Sequence, residues 1–320
     1  MRWDSKTSPI HAHTPPSLPL YQQHSQQPHL FNQNILYHLF HQYHIQHRNH
    51  GSSILRRRQL QDVRAASPAG DHARSNTSTD IPFLLRNGTI ESIKGIVHQL
   101  NEAKVDPNTE VVISPPALYL LLTREHARKG IEVAAQNVFD KPNGAFTGEI
   151  SVEQLKDSNI TWTLLGHSER RVILQESDAF VANKTKTAID GGVGVILCCG
   201  ETLEQRDAGK TMEVVINQLA AVSKQVKDWS KIVVAYEPVW AIGTGKVATT
   251  EQAQEVHKGI REWMAKELGQ QAADSTRIIY GGSVSEKNCK DLAKEADIDG
   301  FLVGGASLKP AFVDIINAKQ

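Results

Sequence analysis

The sequence predicts an α/β fold, a closed (β/α)8 barrel, on three observations. From Ile81 onward, short apolar β-branched runs alternate with amphipathic helical stretches, and the alternation repeats seven times. The runs are continuously apolar, as parallel strands buried on both faces require. Glycine pairs follow the last two runs, at Gly281-Gly282 and Gly304-Gly305, where such a barrel carries its anion site. No G-x-G-x-x-G follows the first run, which counts against an open dinucleotide-binding sheet.

The segment before the barrel has a different composition. Residues 1–80 are rich in His, Gln, Ser and Pro, and acidic residues are almost absent before Asp62. Such a segment buries too little apolar surface to offset chain entropy, so it is expected to be a disordered extension to a barrel domain spanning 81–320. Its histidines recur at no fixed ligand spacing, which disfavours a metal site. The stretch from Leu30 to Phe40 lacks an Arg-bearing amphipathic face, which disfavours an organelle presequence. Over the whole chain Lys+Arg and Asp+Glu are both 35, so charge makes no case for nucleic acid. No apolar run reaches the roughly 18–20 residues of a membrane span. The cysteines are Cys198, Cys199 and Cys289, a set that fits a reducing compartment rather than a disulfide scaffold.

Taken in order, the elements begin with a difficulty. The first strand has only Asp80-Ile81-Pro82-Phe83-Leu84-Leu85-Arg86 to draw on, and Pro82 removes a ladder donor, so this strand is expected to be atypical or incomplete. Thr89 to Leu100 follows as a helix with Ile90, Ile93, Val97 and Leu100 on one side. Strands are expected at Val111–Ile113, Ile131–Ala134 and Trp162–Leu165, then a helix from Asp178 to Asp190. The next strands are Gly194–Cys198 and Ile232–Ala235. Thr249-x-x-Gln252 is a capping box for a helix running to Leu268. Ile278–Tyr280 and Phe301–Val303 complete the set.

Active sites of these barrels lie at the C-terminal ends of the strands. The fourth strand runs into Gly166-His167-Ser168-Glu169-Arg170-Arg171, and the sixth into Tyr236-Glu237. Glu237 then opens a loop bounded by Pro238 and Gly245, with large apolar residues at its tip. Alone, this segment reads equally as an ordinary strand-to-helix turn or as a base beneath a lid. One glycine pair alone reads as a tight turn, but two pairs after the last two strands favour a phosphate cup. His167 precedes a polar turn able to start a helix, and a helix N-terminus favours a neutral imidazole that donates a hydrogen bond. A carboxylate base, a neutral donor and a phosphate anchor suit proton abstraction next to a carbonyl.

These residues fall into five motifs: Ala235-Tyr236-Glu237-Pro238-Val239-Trp240-Ala241-Ile242-Gly243-Thr244-Gly245, Leu165-Gly166-His167-Ser168-Glu169-Arg170-Arg171, Ala145-Phe146-Thr147-Gly148-Glu149, Tyr280-Gly281-Gly282-Ser283 and Val303-Gly304-Gly305-Ala306-Ser307-Leu308. With them the chain from Asn87 to Gln320 closely resembles the triosephosphate isomerase family. The resemblance implies the TIM-barrel fold. It also implies interconversion of dihydroxyacetone phosphate and D-glyceraldehyde 3-phosphate, with no cofactor and no metal. Glu237 would be the base and His167 the electrophile. Gly243, Ser283, Gly304 and Gly305 would hold phosphate, and the lid would be Pro238, Val239, Trp240, Ala241, Ile242, Gly243, Thr244, Gly245 and Lys246. A homodimer is implied through the loop around Phe146, Thr147 and Gly148, with Gln136-Asn137 near it. Cytoplasmic glycolysis and gluconeogenesis would be the setting, with neither nucleic acid nor membrane as partner.

The sequence departs from the family at one place. The family opens with Gly-Asn-x-Lys-x-Asn-Gly; here Asn87-Gly88 remain, Leu85 stands at the Lys position and Phe83 at the first Asn position. The family Lys steadies phosphate and developing oxyanion, and losing one oxyanion donor costs on the order of 100- to 1000-fold in rate. Glu169, which the family pairs with that Lys, would be left as a buried unpaired carboxylate. Two explanations stay open: a catalytically impaired relative that still binds phosphate or dimerises, and an intact enzyme sequence joined to a foreign first segment. The sharpness of the junction favours the second.

Overall fold

Pairing in the computed structural model runs β1-β2-β3-β4-β5-β6-β7-β8, all parallel, and the last strand returns to the first to close a barrel. The structure describes residues 79–84 (backbone), 88–242 and 247–320. All belong to the unit Gly70–Gln320. Predictions for residues 1–78, for Leu85 and for Gly243 to Lys246 fall outside the described residues.

Strand β1 is Thr79–Leu84, and it pairs with β2, Thr109–Ser114, over its whole length. The segment expected to be incomplete therefore supplies a full six-residue strand, with Pro82 opposite Val112. Helix α1, Ile90–Glu102, begins at the N-cap Thr89, which forms a capping box with Ser92. Ile93, Val97 and Leu100 are buried as predicted, but Ile90 is 58% exposed. Helical side chains lean toward the N-terminus, so a residue in the first turn leans past the helix start. Next come α2 at Leu120–His126, β3 at Ile131–Ala135, α3 at Val152–Asp157 and β4 at Trp162–Leu165. The one-turn helix α4, Ser168–Val172, precedes α5, Asp178–Asp190, and β5, Gly194–Cys199.

The second half repeats the alternation. Helices α6 (Leu203–Asp207) and α7 (Thr211–Ser223) lead to β6, Ile232–Tyr236. Helix α8, Thr250–Leu268, has the predicted cap: Thr249 accepts from the Gln252 amide and Gln252 reaches back to the Thr249 amide. Helix α9 (Gln270–Ser275), β7 (Ile278–Tyr280), α10 (Cys289–Leu292), β8 (Gly300–Phe301) and α11 (Phe312–Ile316) complete the described chain. Regular pairing of β8 ends at Phe301, before the predicted Val303, although the Leu302 amide still donates to Tyr280 O.

Side chains alternate between two buried layers, which explains the unbroken apolar runs. Val112, Ala134, Leu164, Ile196, Cys198, Val233, Ala235, Ile279 and Leu302 fill the barrel interior. Their strand neighbours, such as Val111, Val195, Leu197, Val234 and Ile278, pack outward against the helices. Full burial of each Val, Leu or Ile contributes about 1.5–3 kcal/mol, so both layers hold the strand ends in register.

Candidate active site

His167 and Glu237 leave the barrel rim after β4 and β6, on either side of β5, and meet there. His167 Nε2 lies 3.1 Å from Glu237 Oε1. His167 is the N-cap of α4, and its Nδ1 accepts the Glu169 amide N–H at 3.3 Å. A nitrogen that accepts carries no proton, so the ring proton sits on Nε2 and points at Glu237. The first turn of the helix thus aims a backbone donor at the ring nitrogen that faces away from Glu237.

Glu237 is 2% exposed and held on both oxygens. The Ser168 amide donates to Oε2 at 2.9 Å while His167 faces Oε1. The backbone of Glu237 is equally constrained, since its amide donates to Cys199 O at 2.7 Å. Gly200 passes so close that a Cβ there would lie 1.7 Å from Glu237 O. The buried Cys198 thiol sits beside the carboxylate; burial, reinforced by the charge of Glu237, pushes that thiol well above its ordinary range and keeps it protonated.

Glu169 differs from expectation. Its side chain is 40% exposed and lies 3.7 Å from His167 Nδ1. The full desolvation penalty of a buried carboxylate does not arise, because this side chain lies half-exposed at the cavity beside His167.

The first half of the loop expected to be a lid packs against the barrel. Pro238 leads into a 3-10 turn at Val239–Ala241, and the Trp240 indole N–H donates to Glu201 Oε1 at 2.9 Å. The Val239 amide donates to Glu201 O at 3.1 Å, and the Ser283 hydroxyl donates to Ala241 O at 2.8 Å. Ile242 ends the described half of that loop. Glu201 is fully buried and also accepts from the Tyr236 hydroxyl, with Arg206 at 3.5 Å. Glu201 and Ser168 are site residues that sequence reasoning missed. Glu201 had a signal, because it follows the end of β5 as Glu237 follows the end of β6. Ser168 had none, since it acts through its backbone amide.

The two glycine pairs do different work. A Cβ on Gly281 would lie 2.9 Å from Glu237 Cγ, and one on Gly282 would lie 2.2 Å from the Tyr280 hydroxyl, so that pair serves close packing. Among the described residues nothing lies within 4 Å of a Cβ built on Gly304 or Gly305, and both are exposed. Open backbone of this kind leaves room for an oxyanion. Beside His167 a cavity of about 270 Å³ is lined by Gln136, Leu164, Glu169, Arg170, Ile173 and Leu174. A second, also about 270 Å³, shares Gln136 and Arg170 as walls and reaches Gly148 and Glu149.

Comparison with known proteins agrees with this geometry. Residues 86–319 match the family model described as triosephosphate isomerase. The chain is 69% identical over 235 residues to a triosephosphate isomerase of Emericella nidulans, covering 73% of this chain and 94% of the relative. It is 66% identical over 235 residues to that of Paracoccidioides lutzii, with the same coverage. With the Aspergillus oryzae protein, identity is 67% over 237 residues, again at 73% and 94%. The matched span opens immediately after Leu85 and takes in every motif at the barrel rim. On that match and on the meeting of His167 with Glu237, the chain belongs to the triosephosphate isomerase family.

Proposed function

We propose that Glu237 and His167 carry the interconversion of dihydroxyacetone phosphate and D-glyceraldehyde 3-phosphate in this chain. The observation that supports this most is the pairing of a buried carboxylate with an imidazole whose other nitrogen is already occupied. The triosephosphate isomerases are themselves the standing example of a glutamate base beside a neutral histidine. Glu237 gives up a bond to Ser168 or His167 and takes the proton from the carbon next to the carbonyl. The electron pair of that C–H bond forms the enediolate double bond, and the carbonyl electrons move onto oxygen, where His167 Nε2–H donates. His167 relays the proton of the neighbouring hydroxyl to the former carbonyl oxygen, and Glu237 returns its proton to the former carbonyl carbon as C=O forms on the carbon it deprotonated, which completes the isomerisation. No electron leaves the substrate, so the residues suffice without a cofactor or metal. Gly304, Gly305, Ser283 and Gly243 hold the phosphate, and the loop from Pro238 to Lys246 covers the intermediate and excludes water.

Residues from Thr79, where β1 begins, to Gln320 form the isomerase domain in this reading, two residues earlier than the expected start at 81, and the residues before it are an extension. The protein works as a homodimer in the cytoplasm. Exposed Ile173 and Leu174 line the cavity beside His167, and exposed Phe146 lies on the same loop as Gly148, which lines the adjoining cavity, as a contact with a second copy requires. Three free cysteines, all buried, support a reducing setting. Among the described residues no helix is long and apolar enough to cross a membrane.

Leu85 favours a second reading, that of a catalytically impaired relative which keeps phosphate binding and dimerisation. An isomerase assay on the full chain, beside Leu85→Lys and Glu237→Gln, separates the two. Glu237→Gln is expected to lower kcat about 100- to 10,000-fold, as loss of a general base does. Leu85→Lys is expected to raise kcat/KM at least about 100-fold. Turnover of the unaltered chain within about tenfold of a normal family member would overturn the argument from Leu85.

A further inference from the structure

We infer that Arg171 is a positioning residue for His167, gripping the main chain on both sides of the imidazole-bearing carbon. Its Nε donates to Gly166 O at 2.7 Å, the carbonyl of the peptide that enters His167. Its backbone amide donates to His167 O at 3.1 Å, the carbonyl of the peptide that leaves. The guanidinium continues outward, with Nη2 donating to Cys198 O at 3.3 Å and Nη1 donating to Asp178 Oδ1 at 2.5 Å. One side chain thus ties the end of β4, the end of β5 and the first residue of α5 to the residue that faces Glu237.

The glycine before His167 fits this role. Gly166 has φ +73, and a Cβ there would lie 2.9 Å from Arg171 Nη2 and 2.9 Å from Cys198 O. The turn is therefore built around the guanidinium, and a side chain at 166 would displace it. A planar fork with several donors suits three acceptors at once, which a single ammonium cannot satisfy. Arg171 touches neither Glu237 nor the cavity beside His167 among the contacts described, so its most direct reach to the reacting groups is through the main chain of His167. Misplacing a reacting group by about 1 Å costs on the order of 100-fold, and the single-turn ladder of α4 holds only the peptide that leaves His167, so the Arg171 side chain alone holds the peptide that enters it.

This inference rests on His167 being the electrophile, and the test keeps the two apart. Full-length Arg171→Met, Arg171→Ala, Arg171→Lys, Asp178→Asn and His167→Gln proteins are assayed for kcat and KM. Their imidazole nitrogens are followed by 15N NMR and their stability by urea unfolding. Arg171→Met is expected to lower kcat about 10- to 100-fold with KM changed less than about threefold, and to shift the His167 nitrogens away from a single Nε2–H tautomer. Arg171→Lys and Asp178→Asn fall between Met and the unaltered enzyme. Asp178 is 43% exposed, so its variant folds even if the Arg171 variants do not. Guanidinium added to Arg171→Ala, at concentrations too low to unfold the protein, is expected to restore part of kcat. Unmoved His167 signals, a loss of kcat that only tracks loss of folded protein, or a change confined to KM would overturn the clamp. A His167→Gln enzyme with undiminished kcat would overturn the electrophile assignment instead.

Discussion

At the scale of residues, this site depends on polar groups buried with chosen partners. Glu176 shows the rule away from the chemistry: burial raises its carboxyl, but bonds from Lys184 at 2.6 Å and Arg170 at 2.8 Å outweigh burial and hold it below the usual range. His257 shows the opposite outcome. It is fully buried in α8, its Nδ1 faces Asp297 O at 3.1 Å, and its ring lies between Tyr236 and Tyr280 with Arg261 and Asp299 near. Its Nε2 meets no hydrogen-bond partner, and burial pushes its pKa down from 6.5 to about 4. The unfolded chain therefore takes up a proton near pH 6.5 that the folded chain refuses until about pH 4. This contribution to stability is present at neutral pH and is lost as pH falls through that window, by about 2–3 kcal/mol at pH ~4.5. Urea unfolding at pH ~7 and ~4.5 is expected to show a shallower acid loss for His257→Gln than for the unaltered protein. Equal losses in both would remove His257 from the account.

At the scale of elements, the strand ends matter more than the strands. The end of β5 holds Gly200 against the backbone of Glu237, and Gln218 from α7 clamps that glycine from the other side. Its Oε1 accepts the Gly200 amide at 2.8 Å and its Nε2 donates to Gly200 O at 3.2 Å. A methyl group at 200 has no room, since Glu237 O would be 1.7 Å away. Gly200→Ala must separate the ends of β5 and β6, and is expected to cost about 3 kcal/mol or more, read as a shift in the urea midpoint. A midpoint unchanged in Gly200→Ala would show that these ends yield easily. Helix α8 is bounded by a local signal, so Thr249-x-x-Gln252 located its start correctly. The exposure of Ile90 was not visible in that way, because periodicity reports a helical face and not where the helix begins to be covered.

At the scale of the molecule, apolar surface remains to be covered beside the site. Phe146 is 41% exposed, Ile173 71% and Leu174 58%, and the latter two line the cavity that reaches His167. Phe146 packs its ring against Phe139, with centroids 5.0 Å apart, so the loop presents it on a fixed base. Sedimentation of the full chain is expected to give a dimer. Ile173→Asp and Phe146→Asp are expected to shift it to monomer and to lower kcat with the dimer fraction. A monomer that retains full kcat would sever the link between assembly and catalysis.

The sequence by itself determined the barrel, because a strand buried on both faces must be apolar throughout and a helix buried on one face must repeat near every 3.6 residues. It also placed His167, Glu237, Ser283, Gly304 and Gly305 at strand ends, where chain order alone puts them on one rim. The tertiary structure decided what chain order does not encode. It brought His167 Nε2 to 3.1 Å from Glu237 and the Ser168 amide onto the same carboxylate, although Ser168 and Glu237 stand 69 residues apart. It left Glu169 half-exposed at the cavity beside His167, anchored the loop after Glu237 on the buried Glu201, and separated the packing glycines from the open ones. Each of these depends on the angle and register at which neighbouring strands stop, and the packing of the whole barrel sets that register.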